Sequence, residues 1–100
     1  MSVDFKIIEK KNYTVVHFEL KDKVTPNILK NMNPPGLRCS KGVVISGCGP
    51  IWLHCYLVHY YHPTSFIATY DPRVEGAIIV ESHKKGYETG DVIKVDCDNL

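Results

Sequence analysis

No stretch of the chain approaches the ~18 consecutive apolar residues of a membrane-spanning helix. The opening Met1-Ser2-Val3-Asp4-Phe5-Lys6 lacks the basic segment and apolar run of a leader, so a cytoplasmic protein without a membrane partner is expected. Charge of one sign is scarce too, with a net charge of only +1. Proteins that grip long duplexes carry a strong basic excess, so duplex DNA is not an expected partner and any nucleic-acid ligand should be small or locally held. The four cysteines (Cys39, Cys48, Cys55 and Cys97) never form a CxxC pair, and HExxH is missing. A zinc-protease site is thereby excluded, a closed zinc site has little to build on, and free thiols are expected. Repeats, linkers and low-complexity segments are lacking as well.

What is present is an ordinary globular composition. The chain has 100 residues, 44% of them hydrophobic and 23% charged. A chain of this length can bury something over ~60% of its unfolded surface, enough for one core and one domain over residues 1–100.

Phe5-Glu9 and Tyr13-Leu20 are rich in β-branched and aromatic residues, and Lys11-Asn12 between them predicts a hairpin. Thr25-Pro26 reads as an N-cap followed by proline at the first helical position, with Ile28, Leu29 and Met32 as a short apolar stripe and Asn33-Pro34-Pro35-Gly36 as the stop. Gly42-Ser46 is a short apolar run of the kind buried on both faces in a parallel sheet. A second helix is expected from Pro50 to Tyr61, followed by a strand at Ser65-Tyr70. Right-handed crossover makes the strands flanking that helix parallel. A hairpin to Ala77-Ser82, a polar surface loop over Lys84-Gly90 and a final strand at Asp91-Asp96 complete the chain. The expected fold is α/β: a mixed sheet of about six strands with two helices, distantly Rossmann-like.

Chemistry concentrates where the Val43-Ser46 strand turns into the second helix. Ser46, Gly47, Cys48 and Gly49 precede Pro50 there, and free amides at a helix start favour an anion such as phosphate. A lone GxG is usually just a tight turn, and the third glycine of the dinucleotide fingerprint is missing. Asp71 and Arg73 should emerge beside this turn, because parallel strands end at the same edge. Arg73 could fork onto a phosphate, and Asp71 could hold a divalent cation or orient a nucleophile. The plainer alternative has Asp71 capping a turn and Arg73 solvated.

Histidines form a second cluster. Cys55, His59 and His62 fall at i, i+4 and i+7 on one helix face, while His54 points elsewhere as a structural residue and Cys55 reads as a small core hydrophobe. His62 sits at the far end of the helix, so a strand of roughly 20 Å should separate it from Asp71. His83 would return to the His62 edge. The two clusters could serve one reaction only if subunits stacked head to tail; otherwise His62 simply caps its helix.

The run from Gly42 to Cys55, containing Gly49-Pro50-Ile51-Trp52-Leu53-His54-Cys55, followed by His59, His62 and Tyr70-Asp71-Pro72-Arg73, closely resembles the CRISPR-associated ring nucleases of the Csx-three type. The resemblance implies a CARF-like domain with manganese-dependent phosphodiesterase activity. It would open cyclic tetra-adenylate into short linear adenylates and so switch off type III CRISPR signalling. It further implies His62 as the essential histidine, Asp71 as catalytic or metal-binding carboxylate, Arg73 as phosphate-binding arginine and His83 as an additional histidine. Dimers would pair around the ligand into a tetramer, with manganese held through Asp71 and His62. Cys48 departs from the basic residue often found between the glycines. The same residues would suit a manganese-dependent exonuclease trimming linear RNA 3' ends, and a noncatalytic cyclic-nucleotide sensor is the alternative from another class.

Overall fold

The structure, a computed structural model, describes residues 3–37 and 40–95. Strands β1 (Val3–Glu9) and β2 (Tyr13–Leu20) form the expected antiparallel hairpin, with Phe5 opposite Phe18 and the Lys10 amide donating to the Tyr13 carbonyl at 2.9 Å across the turn. After a 3-10 turn at Pro26–Lys30 come β3 (Gly42–Ser46), helix α1 (Ile51–Tyr60), β4 (Phe66–Asp71), β5 (Gly76–Ser82) and β6 (Val92–Lys94). The six strands lie in one sheet in strict sequence order. β2, β3 and β4 run parallel, and the outer pairs are antiparallel. All five residues of β3 are buried, as its unbroken apolar run requires of a central parallel strand.

The sheet is thus the mixed α/β sheet expected, but only one of the two expected helices is an α-helix. The Thr25-Pro26 signal starts a five-residue 3-10 turn in which the Ile28 amide donates to the Thr25 carbonyl at 3.1 Å and the Thr25 side chain makes no cap. Asn27 and Asn31 favour turns, and Pro34-Pro35 stops the chain before enough i→i+4 bonds can offset nucleation. Leu29 and Met32 nevertheless pack against the core on the helix side. α1 itself begins at Ile51, with Pro50 as an extended N-cap. The last strand is shorter than Asp91-Asp96: Asp91 precedes it, and position 96 lies outside the described residues.

Strand alternation divides the core in two. Val16, Phe18, Val43, Ile45 and Ile67 face α1, where Leu53 and Leu57, one turn apart, are fully buried against them. On the other face Val15, Val44, Phe66, Ala68 and Ile79 form a second layer. Tyr87 covers part of it, stacked on Phe66 with ring centroids 4.6 Å apart, so the polar loop has a packing role its composition conceals. Cys55 is exposed instead of serving as a core hydrophobe. Two residues from both Leu53 and Leu57, it stands roughly 200° around the helix from them. Cys48 is also exposed, and both thiols are free; Cys39 and Cys97 lie outside the described residues.

Candidate functional site

The parallel register of β3 and β4 pairs Ile45 with Thr69, so Ser46-Gly47 and Tyr70-Asp71 leave the sheet side by side. Gly47 adopts φ 148°, and a Cβ there would stand 2.6 Å from the Phe18 carbonyl oxygen and 2.8 Å from its ring. At Gly49 a Cβ would stand 2.8 Å from the same ring. Close packing on Phe18 therefore accounts for both glycines, independently of any ligand. The ring also receives the edge of His54 at 5.1 Å, which gives His54 its structural place. Pro50 contributes its carbonyl to Leu53 and His54 amides at 3.1 and 3.4 Å, while no side chain caps the helix start and the first turn carries no acid. That end of α1 is electrostatically open to an anion.

Across the edge, Asp71 and Arg73 are paired by a fork. Arg73 Nε donates to Asp71 Oδ1 at 3.2 Å and Nη2 to Oδ2 at 3.0 Å, while the Arg73 amide donates to Oδ1 at 2.9 Å. The Arg73 side-chain bonds chiefly, and its amide next, hold the Asp71 carboxyl below its ordinary range; the same bonds raise Arg73 further. Asp71 thus caps the turn, as the plainer of the two alternatives has it, and also holds the arginine side chain. The arginine side chain is 88% exposed, so it can exchange its carboxylate for a phosphate without losing packing. Ile51, 82% exposed, and Val74, 50% exposed, add apolar surface beside the loop and the turn.

The histidines lie at the other end of β4. His62 stacks on His59 with centroids 5.9 Å apart and planes 7° from parallel, and meets His83 edge-on at 6.3 Å. His83 is tied there by its amide, which donates to the Ser65 carbonyl at 2.8 Å, and by Glu81 at 2.8 Å from its Nε2. The structure therefore brings His62 to His83 and Asp71 to Arg73 but separates the pairs by the six residues of β4, roughly 17 Å of strand. Among the described residues no group of three His, Cys, Asp or Glu side chains could hold a metal ion. Asp71 and His62 of one chain stand at opposite ends of β4.

Sequence reasoning missed His17. It sits directly opposite Ser46 in the β2/β3 register, with Nδ1 3.1 Å from the Ser46 hydroxyl and Nε2 3.5 Å from Glu19. The only signal in the sequence was one histidine interrupting a β-branched and aromatic strand. A groove of about 440 Å³ lies elsewhere, between β1 and the 3-10 turn, lined by Phe5, Ile28, Met32 and three asparagines. It touches neither cluster. No helix among the described residues is long and apolar enough to cross a membrane.

A model of the family described as CRISPR-associated protein (Cas_csx3) matches residues 17–94. A protein of Aquifex aeolicus (strain VF5), itself described as uncharacterized, is 47% identical over 85 residues, covering 81% of this chain and 77% of that protein.

Proposed function

Because the chain belongs to the CRISPR-associated Cas_csx3 family, we propose that it is a ring nuclease that binds cyclic tetra-adenylate and cleaves it to short linear adenylates. The observation that carries this reading is the division of the candidate residues between opposite ends of β4. Asp71 and Arg73 with the Gly47 loop form an anion-binding edge, and His62 with His83 forms a titratable edge facing the other way. Two copies brought head to tail would set a histidine edge against an anion edge, and a small ring of phosphates is a ligand that could lie between them.

In this proposal Arg73 turns its fork from Asp71 to the scissile phosphate, and the loop amides with the start of α1 neutralise charge that builds there in the transition state. His62 of the facing copy moves the proton, its imidazole flanked by the stacked His59 ring and the edge-on His83 ring. Manganese belongs to the reading only as an ion shared between copies, where it would withdraw charge from the phosphate. The nucleophile is either water or the neighbouring ribose 2'-hydroxyl; linear ends carrying a 2',3'-cyclic phosphate would identify the latter.

The test is incubation of the purified protein with cyclic tetra-adenylate, with manganese or with chelator, and separation of the products by chromatography and mass. Linear di-adenylates formed only with manganese support the reading. Tight binding of an intact ring would point instead to a sensor, and neither binding nor cleavage would direct the assay to linear RNA ending in adenosines.

A further inference from the structure

The hydroxyl of Ser46 is buried at the last position of β3, immediately before the Gly47 turn, with the residue 3% exposed. A buried hydroxyl needs a partner, and the His17 ring supplies it from the adjacent parallel strand at 3.1 Å. The side chain of His17 is only 14% exposed, and its other nitrogen lies 3.5 Å from Glu19, two residues along the same strand and on the same face. A carboxylate next to Nε2 favours the proton on that nitrogen. Nδ1 is then an acceptor, and the Ser46 hydroxyl must donate to it. The direction of the serine hydroxyl is thus set from the adjacent strand, by Glu19 acting through an imidazole.

We infer that His17 is a positioning residue for the ligand edge: held in its Nε2-protonated form by Glu19, it fixes the Ser46 hydroxyl and the end of β3, and with them the amides of the Gly47 loop. His17 stands on the helix-free face of the sheet, opposite to the face on which Phe18 packs under the glycines, so the loop is anchored from both sides at one register level. Lys6 is the residue across from His17 on β1. The consequence for the ligand rests on the ring-nuclease reading; the hydrogen-bond arrangement does not.

Two measurements separate these levels. In ligand-free protein, long-range 15N spectra should show the His17 proton on Nε2, and the Gly47 amide resonance should shift in His17→Phe while staying near its original position in His17→Asn, which returns a polar group near the place of Nδ1. A proton on Nδ1, or a Gly47 amide indifferent to both variants, overturns the inference whatever the ligand. With cyclic tetra-adenylate, His17→Phe and Ser46→Ala should each weaken binding by about tenfold with kcat little changed, and the double variant should lose no more than either single one. His17→Asn should recover most of the affinity. Losses that multiply in the double variant, or full affinity in His17→Phe, overturn the inference. A wild-type protein that neither binds nor cleaves the ring rejects the proposed function instead, and the spectra still decide the role of His17.

Discussion

Asp71 shows how much one residue's surroundings decide. Its carboxyl is depressed by the Arg73 fork and amide, so the stability it contributes is present above the ordinary aspartate range and is lost as pH falls through the lowered folded value. The pair should therefore survive acidification past the usual aspartate midpoint of about 3.9. Carboxyl 13C shifts followed with pH should place the Asp71 midpoint below that of a free aspartate, and Arg73→Ala should return it. A midpoint in the ordinary range in the native protein would contradict the fork. Gly47 supports a second expectation at this scale. Its φ of 148° and the proximity of Phe18 leave no room for a side chain, so Gly47→Ala should cost about 1–3 kcal/mol in denaturant unfolding. That loss requires no ligand, which distinguishes it from a binding effect.

Among the elements, α1 has the clearest division of labour. Leu53 and Leu57 fasten it to β3 and β4, whereas Ile51 stands at its start 82% exposed. Leu57→Ala should destabilise the protein by roughly 2–5 kcal/mol, since a fully buried side chain leaves a cavity. Ile51→Ala should stay within about 0.5 kcal/mol, as surface changes away from special features do. Chemical denaturation of the two variants side by side is the check. Equal losses would mean that the helix start is buried in solution, most simply by another copy. The 3-10 turn carries a different lesson. A helix start signal was legible at Thr25-Pro26, but the length of the element was set by the asparagines and prolines that follow, together with what the turn could bury against the sheet.

At the scale of the whole molecule, the separation of the two edges makes a prediction that no single-chain site would make. If His62→Ala and Asp71→Ala proteins are each inactive toward cyclic tetra-adenylate, mixing them should restore part of the activity, because one intact edge of each kind can then meet. Assembly of both variants, checked by light scattering, makes a failure to rescue count against the split site. The one-sided arrangement of the crossovers matters here too. α1 and the 3-10 turn touch each other on one face of the sheet, and the strand order never reverses. The edge that carries the Gly47 loop, Asp71 and Arg73 is therefore defined by the ends of parallel strands rather than by a switch point between two sets of crossovers.

Local information in the sequence determined the hairpin, the doubly buried β3, the strand-helix-strand crossover and the placing of His62 and Asp71 at opposite ends of β4. Each follows from a periodicity of two or 3.6, from a turn residue, or from the handedness of the crossover, and each concerns neighbours along the chain. What only the tertiary structure decided depends on register between strands distant in sequence. That His17 faces Ser46, that Phe18 lies beneath both glycines, and that Tyr87 returns to cover Phe66 are contacts across 29, 29 to 31 and 21 positions of chain. A one-residue slip of β2 would turn both His17 and Phe18 to the opposite face, and nothing within a single strand records which register its neighbour takes.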